Sequence, residues 1–578
     1  MAGPSGDKLI NVDMTNQTVE VEDFPAEWKL LGGRALSAKI LQKECDPTCD
    51  PLGPDNVLVM APGVLSGSAA PTSGRISMGG KSPLTGGIKE ANSGGQPGQH
   101  LMKLGYRAIV VKGQPSDAGK RFALEVTAEG ATLVPADAHK GKWNYALCED
   151  LHGQYPKTAS FITCGPAGEA RLSGASLATT DQDNRYPARH AARGGLGAVM
   201  GSKGLKYVMV DPGKRGVRQP ADRKAFGALC KEYTKGYLDG PQMFKAGTSS
   251  VVPVANMLNT FVYKNRTEGQ SPDAQTLDGA RIVESFETRG GSMHNCMTGC
   301  IVKCSNVVHD AQGEYKTSAL EFETLTLLGG SCAVASWEDV ADLDRMCDEL
   351  GLDTIETGGA LAVLMDAGRM KWGDVEAMKT LMATIGEGAG PEATAVGNGA
   401  VAVGKLTGHH RVPEGKGQAI PAWDPRPLKA TGVTYCTSPM GADHTAGLIV
   451  NPGLAPDQFA WESQKVQIVN AVCDSSGFCQ FIQPSLDDIR AFYTAMLGEE
   501  VSREAIHDQG WQCLQDEWAF NKAAGWTAAD DKLADCLGED AIGPEGAKQV
   551  FDVPDEIIQQ VYTRMPAQED LFTAKASG

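Results

Sequence analysis

Short apolar runs separated by Gly, Pro and Ser turns fill the first part of the chain: Leu9-Ile10-Asn11-Val12, Val57-Leu58-Val59-Met60, Ala108-Ile109-Val110-Val111-Lys112 and Tyr207-Val208-Met209-Val210. Their period of two and β-branched content predict strands, hence a sheet-rich domain over residues 1–212. One helix, Gly33–Lys43, interrupts it. Beyond this domain the period becomes helical, at Asp222–Lys235, Trp337–Leu350, Thr357–Met370, Pro456–Val472 and Leu486–Leu497. The Gly-rich and loosely patterned stretch Gly386–Gly417 is expected to be a linker, dividing the helical part into residues 213–420 and 421–578. The expected fold class is α+β, a sheet-rich N-terminal base followed by two mainly helical domains.

Composition narrows the function. A chain of 578 residues exceeds what one core supports, and 42% apolar with 21% charged residues describes an ordinary globular protein. The net charge of −18 argues against nucleic acid as a partner. No apolar run approaches the ~20 residues of a membrane span, and the N-terminal residues lack a signal-peptide pattern, so a cytoplasmic location and no membrane insertion are expected. The 15 cysteines are too sparse for a disulfide scaffold, and reduced thiols are available to metals. Glycine is abundant, at 69 residues, and sits in short turns, as expected where backbone approaches a large ligand.

Two stretches suit phosphates. Ala70 to Gly95 gathers hydroxyls and glycines with Arg75, Lys81 and Asn92, and Arg189 to Lys203 repeats the recipe with Arg189, Arg193 and Gly194-Gly195. Glycine-rich turns form anion-binding concavities, and Arg adds a bidentate fork. The alternative is that both are tight turns packing a sheet. Gly194 to Gly201 is only superficially a dinucleotide fingerprint, because no clear strand leads into it.

A further pattern occurs twice. Asp348-Glu-Leu-Gly351-Leu-Asp353 and Asp474-Ser-Ser-Gly477-Phe-Cys479 share the form Asp-x-x-Gly-apolar-(Asp or Cys), each after a helical stretch. A carboxylate beside a helix-ending glycine can accept from a ring N–H edge while the glycine lets backbone close in. Two copies suggest two similar heterocycles; the alternative is a coincidence of helix caps. Cys296, Cys300 and Cys304, spaced i, i+4 and i+8, read either as one face of a buried helix or as a grip on a soft metal centre. An iron–sulfur cluster asks for a fourth thiolate, which Cys479 supplies at the end of the second motif.

These stretches, with Gly441-Ala-Asp443-His444, run in order from residue 70 to residue 479 and resemble the aldehyde:ferredoxin oxidoreductase family of tungsten-pterin enzymes. The resemblance implies tungsten or molybdenum held by two pterins, a nearby [4Fe–4S] cluster on Cys296, Cys300, Cys304 and Cys479, and Mg2+ at the pterin phosphates. It implies a three-domain layout in which the first domain is the cofactor-binding base. Carried over by position, Arg75, Asn92, Gly94, Arg189, Ala192 and Arg193 contact pterin or phosphate, and Asp348, Leu352, Asp353, Asp474 and Phe478 hold the rings. Glu323 in Leu320-Glu-Phe-Glu-Thr324 matches the carboxylate near the metal, and His444 the histidine there. A Glu and a His converging on one substrate fit a general base and a hydrogen-bond donor.

The chain departs from the family pattern in its Cys-x3-Cys-x3-Cys spacing and in Met440, where a basic residue is common; no equivalent of an intersubunit iron-binding Glu/His pair is found. The implied reaction is oxidation of an aldehyde, with water, to a carboxylate, electrons leaving through the cluster to ferredoxin or a ferredoxin-like subunit in a homo- or hetero-oligomer. Reductive variants, an aryl-CoA reductase of the benzoyl-CoA type or carboxylate reduction, keep the fold. A non-catalytic iron–sulfur subunit explains the cysteines but not the phosphate-type loops. Cys45-x3-Cys49 lacks further ligands, and His409 and His410 are expected to face solvent.

Overall fold

In the computed structural model, which describes residues 7–388 and 390–577, the first part of the chain forms two six-stranded mixed sheets. The first contains β1 (Lys8–Asp13), β2 (Thr18–Asp23), β3 (Leu58–Pro62), β4 (Ile76–Lys81), β5 (Ile88–Ser93) and β6 (Tyr106–Lys112), in the order β2-β1-β6-β3-β4-β5. The second contains β7 (Phe122–Thr127), β8 (Gly130–Pro135), β9 (Ser160–Cys164), β10 (Leu177–Thr179), β11 (Arg189–Ala191) and β12 (Leu205–Val210), in the order β8-β7-β12-β9-β10-β11.

The two orders are identical. In each sheet the first and last strands in sequence run parallel and every other neighbouring pair is antiparallel. Each parallel pair carries an irregularity at the same place, and there a buried cation stands in the strand: Arg107 in β6 and Lys206 in β12. Arg107 bonds Asp7 and the Leu31 carbonyl, while Lys206 bonds Glu169 and the Lys142 and Cys164 carbonyls. Residues 8–112 and 122–210 are thus two copies of one unit, a repeat that residue identities conceal.

Burial explains the strand sequences. Ile10, Val12, Leu58, Met60, Ile109 and Val111 of the first sheet share one core with Leu124, Val126, Ile162 and Val208 of the second. The alternate residues Val59, Ala61, Ala108 and Val110 face a different core that includes helix Gly33–Glu44 and helix Phe459–Ser476. Strands covered on both faces read as continuous apolar runs. The expected strands and helices all occur, with bounds shifted by a few residues; the helices are Arg223–Asp239, Trp337–Leu350, Thr354–Asp366, Phe459–Ser476 and Leu486–Leu497. The fold is α+β, a sheet-rich N-terminal part followed by a mainly helical one.

Several expectations are corrected. Gly386–Gly417 is not a loose linker: it contains helices Pro391–Gly397 and Ala400–Thr407, whose Val396, Ala400 and Val403 are core residues. Gly390 (φ 125°) and Gly399 (φ 98°) are the N-caps of these helices, so the glycine signal marked helix starts. The Cys296–Cys304 segment is not helical but a series of turns and bends between the short strands Gly291–His294 and Ser305–His309. A strand, β11, does lead into Gly194-Gly195. His409 is not solvent-facing, because its Nε2 lies 2.9 Å from Asp366.

A Cβ added to Gly63 would overlap the backbone of Gly477. Gly63→Ala is expected to destabilise the protein by ~3 kcal/mol, as overpacking against rigid backbone does, or to prevent folding. Gly153→Ala, in a helix with open space at its Cβ, should stabilise by up to ~1 kcal/mol. Thermal and urea unfolding of both variants checks this.

Candidate active site

A cavity of about 700 Å³ lies between the sheets and the helical part, and its walls include most of the residues singled out above. The two Asp-x-x-Gly motifs enter it in the same way. Helix Trp337–Leu350 ends at Gly351 (φ 73°) and helix Phe459–Ser476 ends at Gly477 (φ 89°), both left-handed caps. Gly351 O accepts from Ser176 N at 2.8 Å, just before β10, and Gly477 O accepts from Arg75 N at 3.1 Å, just before β4. Two residues on, Asp353 N donates to Gly174 O (3.0 Å) and Cys479 N to Thr72 O (2.9 Å). Added Cβ atoms on Gly165 or Gly63 would overlap the respective motif. The second sheet therefore holds the first motif and the first sheet the second.

Each motif carries buried acids that share their charge problem. Asp474 is pushed well above the usual carboxylate range by burial and by Glu90, against the pull of Arg34 and Arg75. Asp344, one helical turn before Asp348, is raised in the same way by burial and by Asp348, and it accepts from Thr317 at 2.7 Å. A carboxyl group held protonated can donate to a ring nitrogen or carbonyl. Asp348 is bonded to protein already, through His190 Nε2 at 3.0 Å and Tyr145 Oη at 3.1 Å. Asp353 caps helix Thr354–Asp366 through Ile355 N (2.9 Å) and accepts from Arg193 Nε (3.2 Å). Leu352, which bridges Ala175, lines the cavity. Phe478 does not: its ring is fully buried against Phe492, 5.2 Å between centroids, and Tyr233.

The sheet side supplies the cations. Arg75 bonds Asn92 through Nε and reaches Cys479 Sγ through Nη1 at 3.7 Å, tying the β4–β5 wall to a thiol. Arg189 is buried in the wall, and its Nε and Nη2 have no partner among the described residues. Arg193 is occupied by protein: Asp353, the Ala442 carbonyl at 2.9 Å and the Ala419 carbonyl at 2.7 Å. Ala192 and Gly94 line the cavity, and a Cβ on Gly94 would meet Cys296 Sγ at 3.2 Å.

Glu323 and His444 come together. Glu323 sits in the middle of the short helix Phe322–Thr324, which continues into a π-helical turn, Leu325–Gly329, a distortion common at functional sites. Its Oε2 accepts from Ala422 N at 2.6 Å, leaving Oε1 3.8 Å from His444 Nε2 and without a hydrogen-bond partner among the described residues. Beyond them Phe322, Trp423, Leu448 and Val450 make the wall apolar.

Cys296, Cys304 and Cys479 line the same cavity, and Cys300 is buried beside them without facing it. Thr72 stitches this corner: its N donates to Gly299 O (2.9 Å), its Oγ1 accepts from Ile301 N (3.0 Å) and its O accepts from Cys479 N. No three His, Cys, Asp or Glu side chains among the described residues close on a single ion, so the four thiols do not converge on one point.

Sequence reasoning passed over several residues in the wall or behind it. Lys89, fully buried, pairs with Asp443 Oδ2 and approaches Met440 O at 3.4 Å, so a cation from β5 stands beside the position where Met440 is unusual. Glu321 faces the cavity with a carboxyl raised by burial. Ala576 and Ser577 also line it, and Ser577 N donates to Asn470 Oδ1 at 3.0 Å while Asn470 Nδ2 holds the Thr445 carbonyl beside His444. No local signal marks these residues, because each acquires its place through long-range contacts.

The sequence matches the family descriptions "Aldehyde ferredoxin oxidoreductase, N-terminal domain" over residues 9–212 and "Aldehyde ferredoxin oxidoreductase, domains 2 & 3" over residues 228–569. It is 31% identical to a tungsten-containing aldehyde ferredoxin oxidoreductase of Pyrococcus furiosus, with 93% of this chain and 92% of that protein aligned. It is 27% identical to an aliphatic sulfonate oxidoreductase, WOR-like subunit, of the same organism, over 86% of this chain and 82% of that one. Among solved structures, the active site complex BamBC of benzoyl coenzyme A reductase has the same fold, with a TM-score of 0.80 at 18% identity, covering 96% of this chain and 92% of that one.

Glu356 supports Arg193 from behind: it lies 3.6 Å from Nη2 and accepts from Ala400 N and Ala419 N, each at 2.9 Å. Burial pushes its carboxyl up to about 7 from 4.5, against Arg193. Between those values the folded state keeps a proton that the unfolded chain releases, so this group makes stability fall as pH rises from about 4.5 to about 7. Glu356→Gln removes that dependence. Urea unfolding across this window should show wild type losing on the order of 1–3 kcal/mol relative to the variant.

Proposed function

The chain belongs to the aldehyde ferredoxin oxidoreductase family and is an oxidoreductase, and we propose that it oxidises aldehydes to carboxylates at a tungsten bis-pterin centre, passing electrons through a [4Fe–4S] cluster to ferredoxin or a ferredoxin-like subunit. The observation that carries this reading is the pair of equivalent Asp-x-x-Gly motifs in one cavity, the second ending in a thiol. The donor set fits such a group. Arg189 has buried N–H groups without a partner among the described residues, burial raises the carboxyl groups at Asp344 and Asp474 and so favours the protonated form that can donate to ring atoms, and Gly94 leaves room beside Cys296.

In this reading Arg75, Asn92, Gly94, Arg189, Ala192 and Arg193 border the pterins and their phosphates, with Mg2+ near Asn92. Asp348, Leu352, Asp353, Asp474 and the backbone at Phe478 hold the rings, and Cys296, Cys300, Cys304 and Cys479 hold the cluster. When bound, the metal, pterins and cluster supply the two-electron redox chemistry and its one-electron outlet. Glu323 Oε1 takes a proton from the attacking water, and His444 Nε2 donates to the carbonyl oxygen of the aldehyde. The apolar wall of Phe322, Trp423, Leu448 and Val450 seats the organic part of the substrate and excludes bulk water. The three guanidinium groups of the lining are those assigned to the cofactor, so none remains for the phosphates of a coenzyme A thioester; this favours a small aldehyde over aryl-CoA reduction. The base is residues 1–212, and residues 213–420 and 421–578 each bring one motif.

Protein from tungsten-supplied anaerobic cells should contain tungsten and about four irons per chain and reduce a viologen dye with aldehydes. Glu323→Gln and His444→Asn should each lower kcat by at least ~100-fold with metal content unchanged. Metal-replete protein that reduces dye with no aldehyde would overturn this reading.

A further inference from the structure

Cys45 and Cys49 belong to neither the cavity nor the thiol corner. Cys45 is the C-cap of helix Gly33–Glu44, and Cys49 closes the turn that follows, its N donating to Asp46 O at 3.1 Å. Their sulfur atoms are 4.0 Å apart. The two differ in access: Cys45 is 5% exposed, whereas Cys49 and Cys230 alone among the described cysteines are not buried. Two largely buried ammonium groups flank the pair. Lys81 Nζ donates to Pro47 O (2.5 Å) and Cys49 O (2.8 Å), and Lys203 Nζ donates to Gly53 O and Pro54 O, each at 3.1 Å, and to Asn56 O (2.5 Å). The Cys45 thiol has Asn56 Oδ1 within 3.6 Å.

We propose that Cys45 and Cys49 form a thiol–disulfide exchange site for low-molecular-weight disulfides, with Cys49 as the attacking and Cys45 as the resolving thiol. Nearby cations favour a thiolate at the accessible sulfur, and the thiolate is the nucleophile. The sulfur–sulfur contact lowers one thiol of the pair at the expense of the other; Cys49 is the more accessible, and Lys81 and Lys203 favour its thiolate against burial and Asp46. Cys49 attacks one sulfur of the small disulfide, forming a mixed disulfide and expelling one thiolate. Cys45 loses its proton and attacks Cys49 Sγ, expelling the second thiolate. The protein dithiol is oxidised by two electrons and two protons, and the small disulfide is reduced to two thiols. The two sulfur atoms, 4.0 Å apart, close to ~2 Å when the bridge forms. The bridge would pin the end of the helix whose other end, at Gly33, packs on the Asp474 backbone.

The test uses the full chain, kept anaerobic and then treated with oxidised glutathione, acid-quenched, alkylated and digested with trypsin. Residues 44–75 form one peptide that contains no other cysteine. In wild type this peptide should be lighter by two hydrogens and resist alkylation until dithiothreitol is added. Cys45→Ser should retain a glutathione adduct on Cys49, and Cys49→Ser should leave Cys45 unmodified. Alkylation of both cysteines in treated wild type, or an adduct on Cys49 that persists in wild type, would overturn the proposal. The readout does not depend on any activity of the enzyme.

Discussion

The contact on which the rest depends is backbone against backbone, where the helix-ending glycines Gly351 and Gly477 press onto Gly165 and Gly63 at the ends of equivalent strands. No side chain separates these surfaces, so the carboxyl and thiol groups two or three residues away are located by main-chain hydrogen bonds and not by flexible side-chain packing. Positioning of this kind suits a large rigid ligand, whose placement tolerates little error. Its cost is burial of Asp348, Asp353 and Asp474, which the fold meets with hydrogen bonds from Tyr145, Ile355 N and Gln480 respectively, while burial raises the Asp474 carboxyl.

Duplication of the base explains why there are two such contacts. Arg75 and Asn92 of the first sheet correspond in register to Ser176 and His190 of the second, and each pair is hydrogen-bonded within itself. The copies have diverged where they meet the motifs. Arg75 extends to a sulfur, and His190 to a carboxylate. Asp353 and Cys479 occupy equivalent places, so the substitution of thiol for carboxyl is what makes the two halves chemically unequal. In the proposed reading, that inequality gives electrons a single exit.

Much of this was legible in the sequence because it is local. Strand runs, helix periods and the twin Asp-x-x-Gly caps depend on neighbours a few residues apart, and those read from the sequence occur, although β2, β4, β5 and β7 to β11 went unread. Arg75, Asn92 and Gly94 could be singled out because they sit in a glycine-rich stretch of unusual composition. Lys89 and Ser577 could not, since Lys89 matters only opposite Asp443, far along the chain, and Ser577 only beside Asn470. The internal repeat was hidden for another reason: strands buried on both faces admit many interchangeable apolar residues, so duplicated topology leaves little identity. Gly386–Gly417 misled because glycine serves equally at a helix N-cap and in a linker.

Charge supplies the last constraint. Although the chain is strongly acidic, its cavity wall holds Arg189 and Arg193 buried and Arg75 partly buried, with Lys89 behind them. Lys89 and Arg193 are balanced by Asp443, Asp353 and Glu356, and Arg75 by Asn92 and the thiol corner. Arg189 has carboxylates in its field but no hydrogen-bond acceptor for two of its nitrogens among the described residues. A buried cation so poorly paired costs several kcal/mol. Partner and cost are reconciled if the native occupant of the cavity is an anion that meets those N–H groups, as the phosphate arm of a pterin would. The same arm would then hold Arg189 in the wall that also carries Cys296, so cofactor and cluster would be loaded into one cavity and not two independent sites.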